Sequence, residues 1–383
     1  MLAAMCHGEP DYVPVSPRIM LDDIYGCSCW MHQLRAGKEL DYDPHIILGP
    51  QGPRAGYVWY PFGPYDAKDI DVKLDLQMDH QQYLVSRRIE TPLGVLTDRT
   101  RFGRTQGWDP KVSGYYSPNP YKTEYLVKGP EDLEKLHFFL ARLYESYGPS
   151  STLPDYHEIK SQAGEEGVVE YAVYGAIDHI YAYSNEDMMV SYYRERKFLK
   201  ELLQILFEPV MIETKAALDA GVDVIFSPWY FCSMSAGWSP KMYRELFAPL
   251  IKQQVDLVHS YKAIYNLYDD GKLMQSAGII RDCGVDVLET LTPPPVGDVD
   301  LAELKKEVGD KVCLKGYMDL WYVIHEGTSE SIEEEVKKAI EVAAPGGGFI
   351  LGTSDSIRPG TPIENTKAYF RAERKYGKKG VGW

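Results

Sequence analysis

Residues 284–315, GVDVLETLTPPPVGDVDLAELKKEVGDKVCLK, carry the pattern on which the fold turns. Val285–Glu289 is a short apolar run of strand length. Leu301–Val308 follows as an amphipathic stretch of helical length, and Val312–Lys315 opens a second strand. A strand, a helix and a strand in that order form a crossover unit, which lays the two strands parallel.

The same rhythm extends outward on both sides. Strands are expected at Val168–Tyr174, Val222–Ser227, Ala263–Tyr268 and Gly348–Leu351. Helices are expected at Lys197–Ala220, Pro240–Ser260, Lys272–Cys283 and Ser329–Ala344. Gly221, Gly284 and Gly309 follow helical stretches where a left-handed cap is expected. Six such strands without a sheet-edge signature predict an α/β fold, a closed (β/α)8 barrel, over an open doubly wound sheet. No Gly-x-Gly-x-x-Gly follows any of them, which argues against dinucleotide binding. The first 165 residues are less regular. Val13–Arg18 is expected as the first barrel strand. Asp41–Ser117, rich in Pro, Gly and aromatics, reads as excursions over the barrel mouth, with a hairpin at Ser86–Thr100. Gly129-Pro130-Glu131-Asp132 opens a helix. Without a linker between the halves, residues 1–383 read as a single barrel domain, irregular over 1–165 and regular over 166–383.

Composition bounds the function. A net charge of −15 repels nucleic acid and anionic membrane surfaces alike. No apolar run approaches the ~20 residues needed to span a bilayer, and Met1–Pro10 lacks a basic-then-apolar leader pattern. Six scattered cysteines suit reduced thiols, so a cytoplasmic location is expected. The 29 tyrosines and seven tryptophans exceed what a core needs, so many are expected to line a cavity or an interface.

Several segments resemble the uroporphyrinogen decarboxylase superfamily. Gly347–Pro362, GGFILGTSDSIRPGTP, resembles the last barrel strand and the loop that closes the family's active site. Asp286 to Asp319, with Pro293-Pro294-Pro295 and Gly297-Asp298-Val299-Asp300-Leu301, is a second match, and Ala236–Tyr243 (AGWSPKMY) a third. Weaker echoes at Val13-Pro14-Val15, Thr91–Gly94 and Val127–Asp132 follow in family order. The resemblance implies a barrel whose active site lies at the C-terminal ends of its strands.

That superfamily has a cofactor-free decarboxylase branch and a branch of corrinoid-dependent methyltransferases. The decarboxylases carry an Arg-Gln-Ala-Gly-Arg signature near the first strand. Here Arg18 alone remains, followed by Asp22 and Asp23, which would repel a polycarboxylate. Tyr183 falls where the decarboxylases keep a tyrosine. The thiol-activating methyltransferases resemble this chain except at their zinc ligands, His-x-Cys-Gly and a later Cys. The matching positions read Tyr268-Asp269-Asp270-Gly271 and Asp355. No thiolate zinc site is therefore expected, and any metal would fall to Asp270, Glu289 and Asp355, oxygen ligands suited to a hard cation.

Asp269, Asp270, Glu289, Asp319 and Asp355 all follow predicted strands closely and should converge at the mouth. Converging carboxylates raise one another's pKa, which suits a general acid; the plainer reading is that some cap helices. Asp270, Asp355, Tyr268 and His179 are the candidate catalytic residues. Arg18, Tyr183, Trp229, Tyr230, Asn266, Glu289 and Tyr317 are candidates for substrate binding. Cys27, Cys29 and His32 lack a fourth ligand and read as packing residues.

The reading is a methyltransferase of O-demethylase type. It would move a methyl group from a small methoxylated aromatic donor to cobalamin carried by a separate corrinoid protein. The chain has no Asp-x-His-x-x-Gly motif for carrying cobalamin itself. A homodimer is compatible with the sequence. Two alternatives stay open, a cofactor-free decarboxylase of a uroporphyrinogen-like or smaller acid, and a non-catalytic ligand-binding barrel.

Overall fold

A computed structural model describes residues 1–20, 29–49, 67–78, 82–103, 121–147, 155–179 and 182–380. Its strands are β1 His45–Leu48, β2 Asp71–Met78, β3 Gln82–Thr91, β4 Gly94–Gly103, β5 Tyr121–Glu124, β6 Val168–Ala172, β7 Val224–Pro228, β8 Ile264–Tyr268, β9 Val287–Leu291, β10 Cys313–Met318 and β11 Phe349–Thr353. The chain forms two compact units, one of Met1–Leu48, Asp155–Ala172 and Ala217–Trp383, the other of Gly49–Pro154 and Val173–Ala216.

The first unit is a curled, all-parallel sheet of seven strands in the order β1-β6-β7-β8-β9-β10-β11, like a TIM barrel. The expected first strand, Val13–Arg18, is not a ladder. Val15 makes one parallel bridge to Leu351 of β11, and Asp43 N–H donates to Val15 on the other side. Pro14 and Pro17 remove the donors that a ladder needs there. The short strand at His45 was not anticipated.

Strand side chains alternate between faces, so residues two apart share one. Val168, Val224, Val287, Cys313 and Ile350 form an apolar cluster with Ala4 and Met5, and Ile264 packs against it. Two residues further along, the same six strands carry Glu170, Phe226, Asn266, Glu289, Lys315 and Gly352. A dry apolar floor thus lies below a largely polar layer. The ladder between β9 and β10 is irregular at this height, with Lys315 opposite Glu289 but Gly316 opposite Leu291, so Thr290 is an extra, bulged residue. Thr290 sits at φ 71, Gly316 at φ 134 and Tyr317 at φ 88. Left-handed backbone at a β-branched residue costs on the order of 1–3 kcal/mol. A side chain at Gly316 would stand 2.7 Å from the Leu291 nitrogen, so glycine is required there.

The outer helices follow the sequence with informative departures. The stretch expected over Pro240–Ser260 is two helices, Pro240–Leu246 and Ala248–Ser260, meeting at Phe247. Pro249 has no N–H for the preceding turn, which breaks the run. Gly221 and Gly284 adopt the expected left-handed conformation, whereas Gly309, at φ −70, ends its helix without it.

In the second unit β2-β3-β4-β5 form an antiparallel sheet. The predicted hairpin is present, with Thr91 opposite Gly94 across a two-residue turn. Its buried face mixes Val85 and Phe102 with an ionic trio, Asp98 held by Arg87 at 2.6 Å and Lys122 at 2.5 Å. The helix expected after Gly129 runs over Leu133–Tyr147. Among the described residues no helix is long and apolar enough to cross a membrane.

Candidate active site

The polar layer of the first unit is a closed ionic network. Glu289 accepts from Arg18 Nη2 at 2.7 Å and from Asn266 Nδ2 at 2.8 Å, with Lys315 Nζ at 3.2 Å. Asn266 also donates to both oxygens of Glu170, at 3.1 and 3.3 Å. Lys315 Nζ lies 2.7 Å from His45 Nδ1, and the ring's Nε2 lies 2.5 Å from Glu170 Oε2. Burial alone would raise both glutamates, but Arg18 and Lys315 outweigh it at Glu289 and hold that carboxyl well below its usual range. At Glu170 burial is likewise outweighed, by contact with His45 and by Lys315, and the carboxylate stays ionised. Burial, with Lys315 and Arg18 nearby, lowers the imidazole of His45, so the pair is a neutral ring beside a charged carboxylate. Two cations balance two anions inside the sheet.

His45, Glu170 and Glu289 bring ligand atoms within 4.8 Å of one another, close enough to hold an ion. Their neighbours argue otherwise. A lysine ammonium at 2.7 Å makes Nδ1 the acceptor, which leaves the hydrogen on Nε2 rather than a lone pair. Arg18 and Lys315 already supply the positive charge that a cation would bring.

Above this layer β8 ends. Ile264, Asn266, Tyr268 and Asp270 alternate onto one face, Tyr265, Leu267 and Asp269 onto the other. Tyr268 meets the rings of Tyr230 and Phe226 edge-on, at 5.0 and 5.8 Å. The Arg18 guanidinium lies 3.9 Å over the Phe226 ring and 5.3 Å from that of Tyr268. Burial, then Asp270 and Asp355, push the Tyr268 phenol up, so it keeps its proton. Burial, then the charge of Asp355, raises Asp270 to about 6. Asp355 itself is paired with Arg358. Asp269 is fully buried on the opposite face, close enough to raise the phenol of Tyr243; burial raises its own carboxyl well above the ordinary value.

The structure thus brings together Asp270, Asp355, Tyr268, Tyr230 and Arg18, with Glu289 and Asn266 beneath them. It places other expected residues elsewhere. The Trp229 indole is fully buried and donates to Ser227 and to the Tyr265 hydroxyl, beside Gln254 of an outer helix. Ser227, the last residue of the expected strand Val222–Ser227, is held in the same outer layer. Tyr317 turns toward Glu335 and Asp300 of outer helices, because the irregular ladder reverses its face. Asp319 caps the turn Leu320–His325 through the Tyr322 N–H, as the plainer reading had it. Tyr183 belongs to the second unit and meets Phe198 edge-on at 5.5 Å. The backbone of His179 ends the short helix Ala176–His179, and its side chain lies outside the described residues, as does Cys27. Glu289, named with Asp270 and Asp355 as a metal ligand, is committed to Arg18, Asn266 and Lys315.

Sequence reasoning missed His45 and Glu170, and placed Lys315 at a strand end without giving it a role. The signal was a lone charge inside an otherwise apolar strand, as in VVEYA of β6 and CLKGYM of β10. The donor set at the mouth does not fit a thiol-activating zinc ion. Tyr268 is a protonated phenol packed among rings and Asp270 offers only hard carboxylate oxygens, so neither is the soft anionic ligand that such an ion prefers. Of the buried thiols, Cys283 donates to the Ala248 carbonyl and Cys313 lies in the apolar floor.

Comparison with known proteins bears on the same residues. The family model described as uroporphyrinogen decarboxylase (URO-D) matches residues 180–376. A uroporphyrinogen decarboxylase from Chlorobaculum tepidum is 31% identical over 173 residues, 45% of either chain. A methylcobamide:CoM methyltransferase from Methanosarcina barkeri is 27% identical over 183 residues, 48% of this chain and 50% of its own. The matches therefore span about half the length of these curated relatives. The solved structure of a methyltransferase from Methanosarcina mazei superposes with a TM-score of 0.65 at 19% identity, covering 98% of this chain and 97% of that one, which shows a shared fold.

Proposed function

This chain belongs to the uroporphyrinogen decarboxylase family, and from that premise we propose that it is a cytoplasmic methyltransferase that takes a methyl group from a small methoxylated aromatic and passes it to a separate corrinoid protein. In this reading the Val13–Arg18 segment completes the eighth position of the barrel. The observation that carries the proposal is Asp270, a carboxyl raised to about 6 that stands beside the protonated phenol of Tyr268. A phenyl methyl ether becomes a usable electrophile only when its oxygen is protonated or polarised. Asp270 supplies that proton and Tyr268 a second hydrogen bond to the leaving oxygen. Phe226 and Tyr230 provide apolar walls for the ring. Arg18, whose Nε is buried without a partner, faces an anionic substituent. The corrinoid's reduced cobalt, when the partner is bound, supplies the nucleophile.

The test is methyl transfer to reduced corrinoid protein from a methoxylated benzoate. Asp270→Asn should lower the rate constant for transfer by roughly 10²–10⁴-fold, with a smaller effect on donor affinity. Asp355→Asn and Tyr268→Phe should slow transfer less. Undiminished turnover in all three variants would remove the chemistry from this mouth. Carbon dioxide release from a carboxylated substrate without any corrinoid protein would favour the decarboxylase reading instead.

A further inference from the structure

The antiparallel sheet of the second unit ends on one side at β2, Asp71–Met78, which among the described residues pairs with β3 alone. Its other side presents backbone N–H and C=O groups over eight residues, a length at which a further strand can add. The side chains point the same way. β3 and β4 bury the face that holds Val85 and Phe102, yet Leu74 and Met78, which β2 contributes to that face, are 41% and 62% exposed. On the opposite face Asp71, Lys73, Asp75 and Gln77 follow one another. Lys73 meets Asp71 at 3.2 Å and Glu90 at 3.0 Å, and Arg88 shares Glu90. Asp75 is exposed and accepts from the Gln77 amide at 2.9 Å, with no cation beside it among the described residues.

We infer that β2 pairs antiparallel with β2 of a second copy of this chain, so that two four-stranded sheets become one across a twofold axis. The charges choose the register. Directly opposite residues share a face in an antiparallel pair. With Leu74 on the axis, Lys73 of each copy faces Asp75 of the other, Val72 faces Leu76, and Asp71 faces Gln77. Lysine thus meets the carboxylate that lacks a cation, and Leu74 is covered by its own counterpart. Moving the axis to Lys73 would set lysine against lysine and Asp71 against Asp75; moving it to Asp75 would set aspartate against aspartate. An odd offset would join the apolar face of one sheet to the charged face of the other. Charges on an edge strand ordinarily keep other strands away. Here their alternation in sign fits a reversed copy of the same strand. The pairing does not depend on the proposed demethylation.

Sedimentation equilibrium of the full chain, from micromolar to millimolar concentration, should show monomer and dimer in exchange. Lys73→Glu sets two acids opposite each other and Asp75→Lys two amines. Each should weaken dimerisation by roughly ten- to a hundredfold, because the symmetry repeats the pair. Together the two substitutions restore unlike pairs and should recover most of the wild-type affinity. These side chains are exposed, so the fold is not at stake, and circular dichroism checks that it is kept. The register has its own test. Leu74→Cys should give a disulfide-linked dimer under mild oxidation, beyond any linkage seen in the wild-type protein. Met78→Cys, on the same face but opposite Ile70, should not. A chain that stays monomeric throughout, or a dimer that neither single reversal weakens, overturns the inference. So does a double variant that associates no better than the single ones, or equal linkage through the two cysteine positions.

Discussion

Glu289 and Asp270 are both largely buried carboxyls on neighbouring strands of one sheet, and their environments drive them in opposite directions. Glu289, in the interior layer, is held well below the usual range; Asp270, at the strand ends, rises to about 6. Desolvation is the largest single influence on both and raises both. What differs is the company. Arg18 and Lys315 stand against Glu289, while Asp355 adds a second negative charge near Asp270. Burial therefore does not decide the protonation state here; the supply of cations does. The layer beneath is a charge-balanced frame, and the mouth above it is an acid kept ready to give up a proton.

The two regions should respond to mutation with opposite signs, and the largest effect belongs to the frame. Lys315→Met removes one cation and leaves Glu289 and Glu170 short of positive charge in a dry interior. It should destabilise the protein by about 3–5 kcal/mol in urea unfolding, as expected when one partner of a buried pair is lost. A loss below about 1 kcal/mol would mean that the network is not coupled. The pH dependence has a definite direction. The folded-state values of Glu289 and Glu170 are depressed, so their stabilisation is present above the unfolded carboxyl value near 4.3 and is lost as pH falls through the lower folded values.

Asp270 should behave the other way. Its folded value is raised to about 6, so the protein loses stability through this group as pH climbs from about 4 to about 6. Asp270→Asn should therefore be more stable than wild type at pH 7 by about 2 kcal/mol, allowing for partial solvent screening, and the difference should vanish below pH 4. An inactive variant with raised stability is the mark of a site kept strained for function. Equal stability at pH 7 would mean that Asp270 is not strained by its surroundings.

The smallest effect is expected at Asp269, one residue away on the other face. Its carboxyl is buried near Tyr243, and one oxygen accepts the Asp270 N–H at 2.9 Å. Because burial keeps it protonated, Asp269→Asn exchanges one neutral group for another of the same shape. Stability should change by less than about 1 kcal/mol and turnover by less than about threefold. A large loss of activity in this variant, with Asp270→Asn active, would exchange the roles assigned to the two aspartates.

What the sequence made legible follows from what is local. Strands and helices of the second half were readable because periodicity, glycine caps and the strand–helix–strand order depend on near neighbours, and they place β6 to β11 within a few residues. Tyr268, Asp270 and Asp355 were readable as a group because each ends a parallel strand, and such ends gather on one side of the sheet. The incomplete first strand was foreshadowed by Pro14 and Pro17, but which bonds survived between them depended on β11 and Asp43.

The sequence by itself determined the alternation that makes the sheet parallel, and the acids that gather at its C-terminal edge. Only the tertiary structure decided which carboxyls are charged. Glu289 is ionised because residues 271 and 26 positions away in the chain, Arg18 and Lys315, meet it in the interior, a closeness that no spacing in the sequence encodes. Trp229 and Tyr317 were assigned to the wrong face for a related reason. The chain leaves strand geometry after β7, and one bulged residue, Thr290, accompanies a reversal of alternation in the neighbouring β10. A period of two predicts a face only while the ladder is unbroken, and an inserted residue shows itself only when two strands are laid side by side.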